Sequence, residues 1–301
     1  MRITQNMLAA EILSNISGSA GRLAKAQEQL SSTKRINRAS DDPQGSSLVL
    51  QMQERIGVTE AYQSATSAVQ DTLGSASSTL NQVIELLQNA KDIATQGSSD
   101  TTDTTRGTLA DQVNQLLEEL FSQANKQSQG RYSFGGTQTN TPPFSATRDA
   151  AGKITLVGTN PLGINGAMNV QVAEGVIVQS NVPGDQAFTQ STDVFSALIT
   201  LRDALTNNNT AGIAGSIDTL GAGISQVTAV NGAVGVTVQR LQAIATRNHG
   251  DLTRFKDLLS RTHDADLAEV YVELQKEQNA YQASLASGAK VFQMSLLDYL
   301  R

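Results

Sequence analysis

The stretch 264–301 constrains this chain more than any other. Its apolar residues fall at Leu267, Tyr271, Leu274, Tyr281, Leu285 and Phe292, with Gln278 and Gly288 between them, so the spacing alternates between four and three. That alternation is the heptad pattern of one long helix whose apolar seam faces a partner. No proline follows Pro183, and the pattern runs on into an apolar tip of Leu296, Leu297, Tyr299 and Leu300. The other end of the chain offers the partner, because Ile12, Ile16, Ser19, Leu23, Ala26 and Leu30 repeat the same alternation. Charge agrees with the pairing. Residues 1–45 carry six Lys and Arg against four acids, whereas 251–301 carry six bases and eight acids, five of the acids lying between Asp264 and Glu277. The two termini therefore predict one coiled unit, parallel or antiparallel, made from both ends of the chain.

Between the ends the same period recurs. After a first helix over 5–33 and the basic connector Lys34, Arg35, Ile36, Asn37 and Arg38, the run Asp41, Asp42, Pro43 reads as a helix start. An aspartate there accepts from the orphan donors of the first turn, and proline in that turn loses no hydrogen bond. A second helix follows over 44–94, with Val69, Leu73, Ala76, Leu80, Val83, Leu87, Ala90 and Ala94 inward, and a third carries Leu109, Val113, Leu116 and Leu120. Glycines, Pro142 and Pro143 then break the helical period. Segments 154–157, 168–172 and 176–178 read as strands. Helical spacing resumes at Phe195, Leu198, Leu201 and Leu205. A long seam then runs from Ile213 to Ala245 with Asn231 at an inward position, and Gly250 and Asp251 mark the start of the last helix. The expected fold is mainly α: a nested bundle of long coiled-coil helices built from both chain ends, with a small β-rich insert in the middle. The expected domains are 1–43 with 251–301 as a terminal coiled coil, 44–140 with 190–250 as an inner bundle, and 141–189 as the insert.

Composition narrows the function by exclusion. Aromatics are 4% and tryptophan is absent, which suits thin helical seams better than a thick globular core. A net charge of −6 argues against nucleic-acid binding, since no basic stretch is present to neutralise phosphates. The absence of cysteine removes disulfides and thiol chemistry. Residues 1–17 lack the apolar run of a secretory signal, and nowhere do eighteen apolar residues follow one another, so membrane insertion is not expected. His249 and His263, the two histidines, lie among polar residues near helix boundaries and read as solvated helix surface. Asp41 and Asp42 could form a carboxylate pair for acid/base work, but Pro43 favours the capping reading. The glycines at 221, 223, 232 and 235 follow no strand and precede no suitably placed lysine, so they form no phosphate loop. No catalytic residue, metal ligand or cofactor is expected, and the chain reads as a non-enzyme.

Three stretches carry a family resemblance. They are KRINRASDDP over 34–43, GRYSFGGTQTNTPPF over 130–144, and LAEVYVELQKEQNAYQASLASGAKVFQMSLLDYL over 267–300. With them the chain resembles flagellin and its hook-associated relatives. The resemblance implies a structural adaptor that joins the flagellar hook, through hook-associated protein 1, to the flagellin filament as a ring of helically ordered subunits. Alternatives are a filament flagellin or a cytosolic coiled-coil scaffold. It further implies an outward-facing β insert, export through the flagellar type III apparatus without a cleaved signal, an extracellular place in the flagellum, and a cytoplasmic export chaperone. The chaperone would bind the apolar face of Leu267, Leu274, Leu285 and Phe292. The assembly seam implied for contacts with copies of the chain is Ile12, Ile16, Leu23, Leu30, Leu267, Tyr271, Leu274, Tyr281, Leu285 and Phe292.

Overall fold

A computed structural model of the protein describes residues 5–99 and 102–299, with side-chain surroundings for Met7 and from Ala9 to Lys290. Its elements follow in the order α1 (Gln5–Ser32), α2 (Pro43–Ser98), α3 (Asp103–Ala124), β1 (Gln127–Ser128), β2 (Arg131–Tyr132), β3 (Phe144–Arg148), β4 (Ile154–Thr159), β5 (Asn169–Ala173), β6 (Val176–Gln179), α4 (Gly184–Phe188), α5 (Val194–Thr206), α6 (Thr210–His263) and α7 (Leu267–Tyr299). The chain divides into two compact units, Thr59–Gly250 and Met1–Val58 with Asp251–Arg301, so the division falls inside α2 and α6.

Thr59–Gly250 holds the continuous hydrophobic core, whose buried members run from Val69 to Leu241. All eight α2 seam residues from Val69 to Ala94 are buried, and Phe195, Leu198, Leu201 and Leu205 of α5 are buried with them. A heptad kept for three or more turns leaves each helix one apolar stripe, and stripes from α2, α3, α5 and α6 enclose one core. On α3 Leu117 is buried, whereas Leu116 packs at the core's edge. Asn231 of α6 is half-buried; its Oδ1 accepts from Ser77 Oγ at 2.7 Å and its Nδ2 donates to Asn81 Oδ1 at 2.7 Å, so the polar seam position is matched across to α2.

The middle of the chain forms three antiparallel two-stranded hairpins, β1–β2, β3–β4 and β5–β6. The first turns through Gln129 and Gly130, at φ 52° and 76°, the two left-handed residues of a tight hairpin turn. Four phenylalanines fix the insert to the helices: Phe134 after β2, Phe144 opening β3, Phe188 of α4 and Phe195 of α5, all fully buried. Phe188 is central, with ring centroids 5.1 Å from Phe134, 5.4 Å from Phe144 and 5.8 Å from Phe195. Gly184 lies against this cluster, and an added Cβ would stand 2.5 Å from the Phe134 carbonyl oxygen. Asn125 Nδ2 donates to the Phe144 carbonyl while its Oδ1 accepts from the Phe144 amide, both at 3.1 Å. The buried Arg202 guanidinium donates to the Ile154 carbonyl at 2.6 Å, tying β4 to α5. The GRYSFGGT stretch thus does a folding job.

Two sequence expectations change. β3 was not foreseen: five mixed residues bracketed by prolines and a glycine turn give too short an alternation to read. Gly250 does not end a helix, since α6 continues without interruption to His263. A lone glycine costs about 1 kcal/mol in a helix and does not break it. The break comes at 264–266, where Asp266 Oδ1 accepts from the Ala268 amide at 2.9 Å and the Glu269 amide at 3.3 Å to start α7.

Candidate assembly surface

The unit Met1–Val58 with Asp251–Arg301 is built around α1 and α7. Two connectors are stitched together where these helices meet. The Arg35 amide donates to the His263 carbonyl at 2.7 Å, and the Ala265 amide to the Thr33 carbonyl at 3.0 Å. The Arg35 guanidinium adds a bond to the Thr262 carbonyl at 2.8 Å. Thr33 ends α1 in the left-handed region at φ 59°, a conformation that β-branched residues rarely adopt. From this junction the helices run antiparallel: Arg22 meets Glu277, with Nε 3.0 Å from Oε1, and further out Gly288 meets Ile12 and Ile16. The termini therefore form an intrachain pair, and of the two orientations left open by the sequence it is the antiparallel one.

The α1 seam faces inward as its spacing predicts, with Ser19 and Ala26 buried and Ile12, Ile16, Leu23 and Leu30 half-buried. On α7 the inward line is different. It runs through Val270, Leu274, Glu277, Tyr281, Ser284 and Gly288, still at alternating four and three. Leu274 is buried and Tyr281 half-buried, while Leu267, Tyr271 and Leu285 are 46%, 55% and 44% exposed. The physical reason is width. Apolar residues at both 267/271/285 and 270/274/281 make a stripe broader than one neighbouring helix covers, so α1 takes one edge and leaves the other open. Phe292 and the apolar tip at 296–300 lie outside the described side chains.

The open edge adds to other exposed apolar positions of this unit. Among the described side chains, nine of the thirteen exposed large hydrophobics belong to this unit, although it is the shorter one. Met7 and Leu13 lie on α1, Leu50 and Val58 on α2, Leu258 on α6, and Leu267, Tyr271, Val272 and Leu285 on α7. Scattered exposed apolar side chains are ordinary on a monomer; their concentration on one unit makes that unit the candidate assembly surface.

The connector between α1 and α2 is organised by two aspartates in different roles. Asp42 caps α2: its Oδ1 accepts from the Gly45 amide at 2.9 Å, and Pro43 follows as the first helical residue. Asp41 instead holds the turn, with Lys25 Nζ 3.0 Å from Oδ1 and the Arg38 amide donating to Oδ2 at 3.0 Å. The Lys25 ammonium and then the Arg38 amide hold the Asp41 carboxyl below its usual value; the Gly45 amide, helped by Arg35, does the same for Asp42. Both folded values are depressed, so this stabilisation is complete above the unfolded pKa of about 4 and is lost as pH falls through the folded values. The expected result for Asp41→Asn is a melting temperature a few degrees below wild type at pH 7, with the gap closing below about pH 4. Thermal melts followed at 222 nm across that range check it; a gap that persists at low pH would assign the loss to packing.

Ser19 is inward as its spacing predicts, but the periodicity does not give its Arg22 and Glu277 partners, because a charge at a seam position reads as surface. Nor does it give Thr33, where only a glycine or asparagine would have signalled the turn. His263 Nδ1 stands 3.9 Å from Asp264 Oδ1 beside the connectors. Among the described residues no group of three or more His, Asp and Glu is placed to hold a metal ion, and no helix is long and apolar enough to cross a membrane.

Comparison with known proteins places this architecture. The bacterial flagellin N-terminal helical region matches residues 3–139. That match spans a little under half of the chain. Flagellar hook-associated protein 3 of Salmonella typhimurium is 24% identical over 321 residues, covering 100% of both chains. A flagellin of Clostridium tyrobutyricum is 36% identical over 127 residues, which are 42% of this chain and 33% of that protein, so the chain matches about a third of that flagellin's length. In three dimensions the chain is similar to flagellar hook-associated protein 3 of Legionella pneumophila, with a TM-score of 0.61 and 14% identity over 71% of this chain and 98% of the other. That likeness establishes the fold.

Proposed function

We propose that the chain is a structural, non-enzymatic adaptor of the bacterial flagellum, joining the hook, through hook-associated protein 1, to the flagellin filament. The observation that carries the assembly role is the concentration of exposed apolar side chains on the unit made from both chain ends. The full-length similarity to hook-associated protein 3 supports the choice of assembly. Fully burying a Leu or Tyr side chain is worth on the order of 2 kcal/mol, so covering the half-exposed Leu267, Tyr271 and Leu285 in a neighbour contact favours association appreciably. A contact between unlike faces of successive copies closes into a ring or propagates as a helical array according to its rotation and rise.

The same surface suits the finer parts of the reading. A cytoplasmic chaperone would take Leu267 and Leu285 directly, but Leu274 is covered by α1, so it would engage α7 in its unpaired state. A second reading, filament flagellin, draws on the higher identity to the Clostridium tyrobutyricum flagellin over its shorter match.

The test is Leu267→Asp with Tyr271→Asp and Leu285→Asp. Because all three are exposed in the single chain, the triple variant should keep its melting temperature within a few degrees while incorporation into flagella falls below detection. Incorporation at the wild-type level would refute this face as the assembly surface. Leu274→Asp is a poorer probe, since burying a charge in the pair would unfold it.

A further inference from the structure

Halfway along the α1–α7 pair the seam is polar. Glu277 occupies an inward position of α7 between Leu274 and Tyr281, and its side chain is only 7% exposed. Oε1 accepts from Arg22 Nε at 3.0 Å, and Arg22 Nη2 donates to Oγ of the buried Ser19 at 3.1 Å. The second oxygen, Oε2, is buried without a hydrogen-bond partner among the described residues. Arg22 itself is 59% exposed, so the carboxylate is the buried member of the pair; leucine at 277 would complete an apolar seam, and a buried charge replaced by an apolar residue of similar volume is often neutral or stabilising. A half-satisfied carboxylate in this place is therefore not explained by stability.

We propose that Glu277, read by Arg22 and Ser19, is a positioning residue that sets α7 on α1 in one antiparallel register. Heptads by themselves do not specify a register, and a single polar seam position is a well-attested way to impose one. A slip of one heptad along α1 would set Glu277 against Asn15 or Gln29, leaving a buried carboxylate with no cation. Gly288 reinforces the choice, because an added Cβ there would lie 3.1 Å from Ile12 Cγ2 and 3.3 Å from Ile16 Cδ1; one heptad away Tyr281 would have to enter that notch. The stitched connectors fix where the helices begin. The polar layer holds the alignment some twelve residues further on, where the remaining seam of Ile16, Ile12 and Ser284 is thin. This inference concerns pairing within the chain and stands independently of the flagellar role.

The chain has no cysteine, so cross-linking reports register cleanly. In the purified full-length protein, Ile12→Cys with Gly288→Cys reports the native register, and Ile12→Cys with Tyr281→Cys reports a one-heptad slip. Adding Glu277→Leu to each should leave the melting temperature equal or higher, cut the native cross-link several-fold, and raise the slipped cross-link several-fold. Exchanging the charges, Arg22→Glu with Glu277→Arg, should restore most of the native yield, whereas Arg22→Leu alone should destabilise the pair far more than Glu277→Leu. Unchanged native yield in Glu277→Leu would overturn the proposal. So would a marked fall in its melting temperature with no slipped product, which would make the layer simply stabilising.

Discussion

Removing 264–301 should abolish incorporation into the flagellum while the unit Thr59–Gly250 stays folded. Every buried residue of the continuous core lies between Val69 and Leu241, so the deletion touches none of it. What it removes is α7, and with α7 the only element that packs substantially on α1 among the described residues. An unpartnered helix of this length and polarity is marginal in water, so α1 should fray as well. The circular dichroism signal at 222 nm should fall by roughly the share of the two terminal helices, while a single cooperative melt remains. Loss of nearly all helical signal would contradict the independence of the two units. Incorporation of the truncated chain would contradict the assembly role of the terminal pair.

The second large effect is expected in the insert's seat. Phe188 is fully buried and contacts three other aromatic rings, two of them edge-on. Phe188→Ala should cost about 3–5 kcal/mol, because the transfer term is joined by a cavity and by the loss of favourable ring geometry. Against a typical domain stability of about 5–15 kcal/mol this is a large fraction. Urea unfolding should show a clear fall in midpoint with the slope unchanged. A loss under about 1 kcal/mol would mean that the four rings do not act as one packed cluster.

Much of this architecture can be read from the residues, and the reasons differ by place. The α2 seam from Val69 to Ala94 is legible because its period holds over several heptads with one partner surface, so pattern and burial coincide. On α7 the pattern was real but ambiguous, since apolar residues sit on two adjacent faces and only the position of α1 decides which is covered. Gly250 is no stop, because a helix ends where its donors and acceptors find other partners, as at Asp266. Glu277 could not be found by hydrophobic periodicity at all. Its signal, had it been sought, was a glutamate in register between Leu274 and Tyr281 with an arginine at the matching place on α1.

The central claim is that this chain occupies the boundary between hook and filament, and location tests it most directly. Gold-labelled antibody against the protein, applied to intact cells and detached filaments and viewed by electron microscopy, should mark one narrow band where the hook ends and the filament begins. Label distributed along the whole filament would contradict the adaptor reading in favour of a filament flagellin, and an appendage without label would remove the protein from the flagellum.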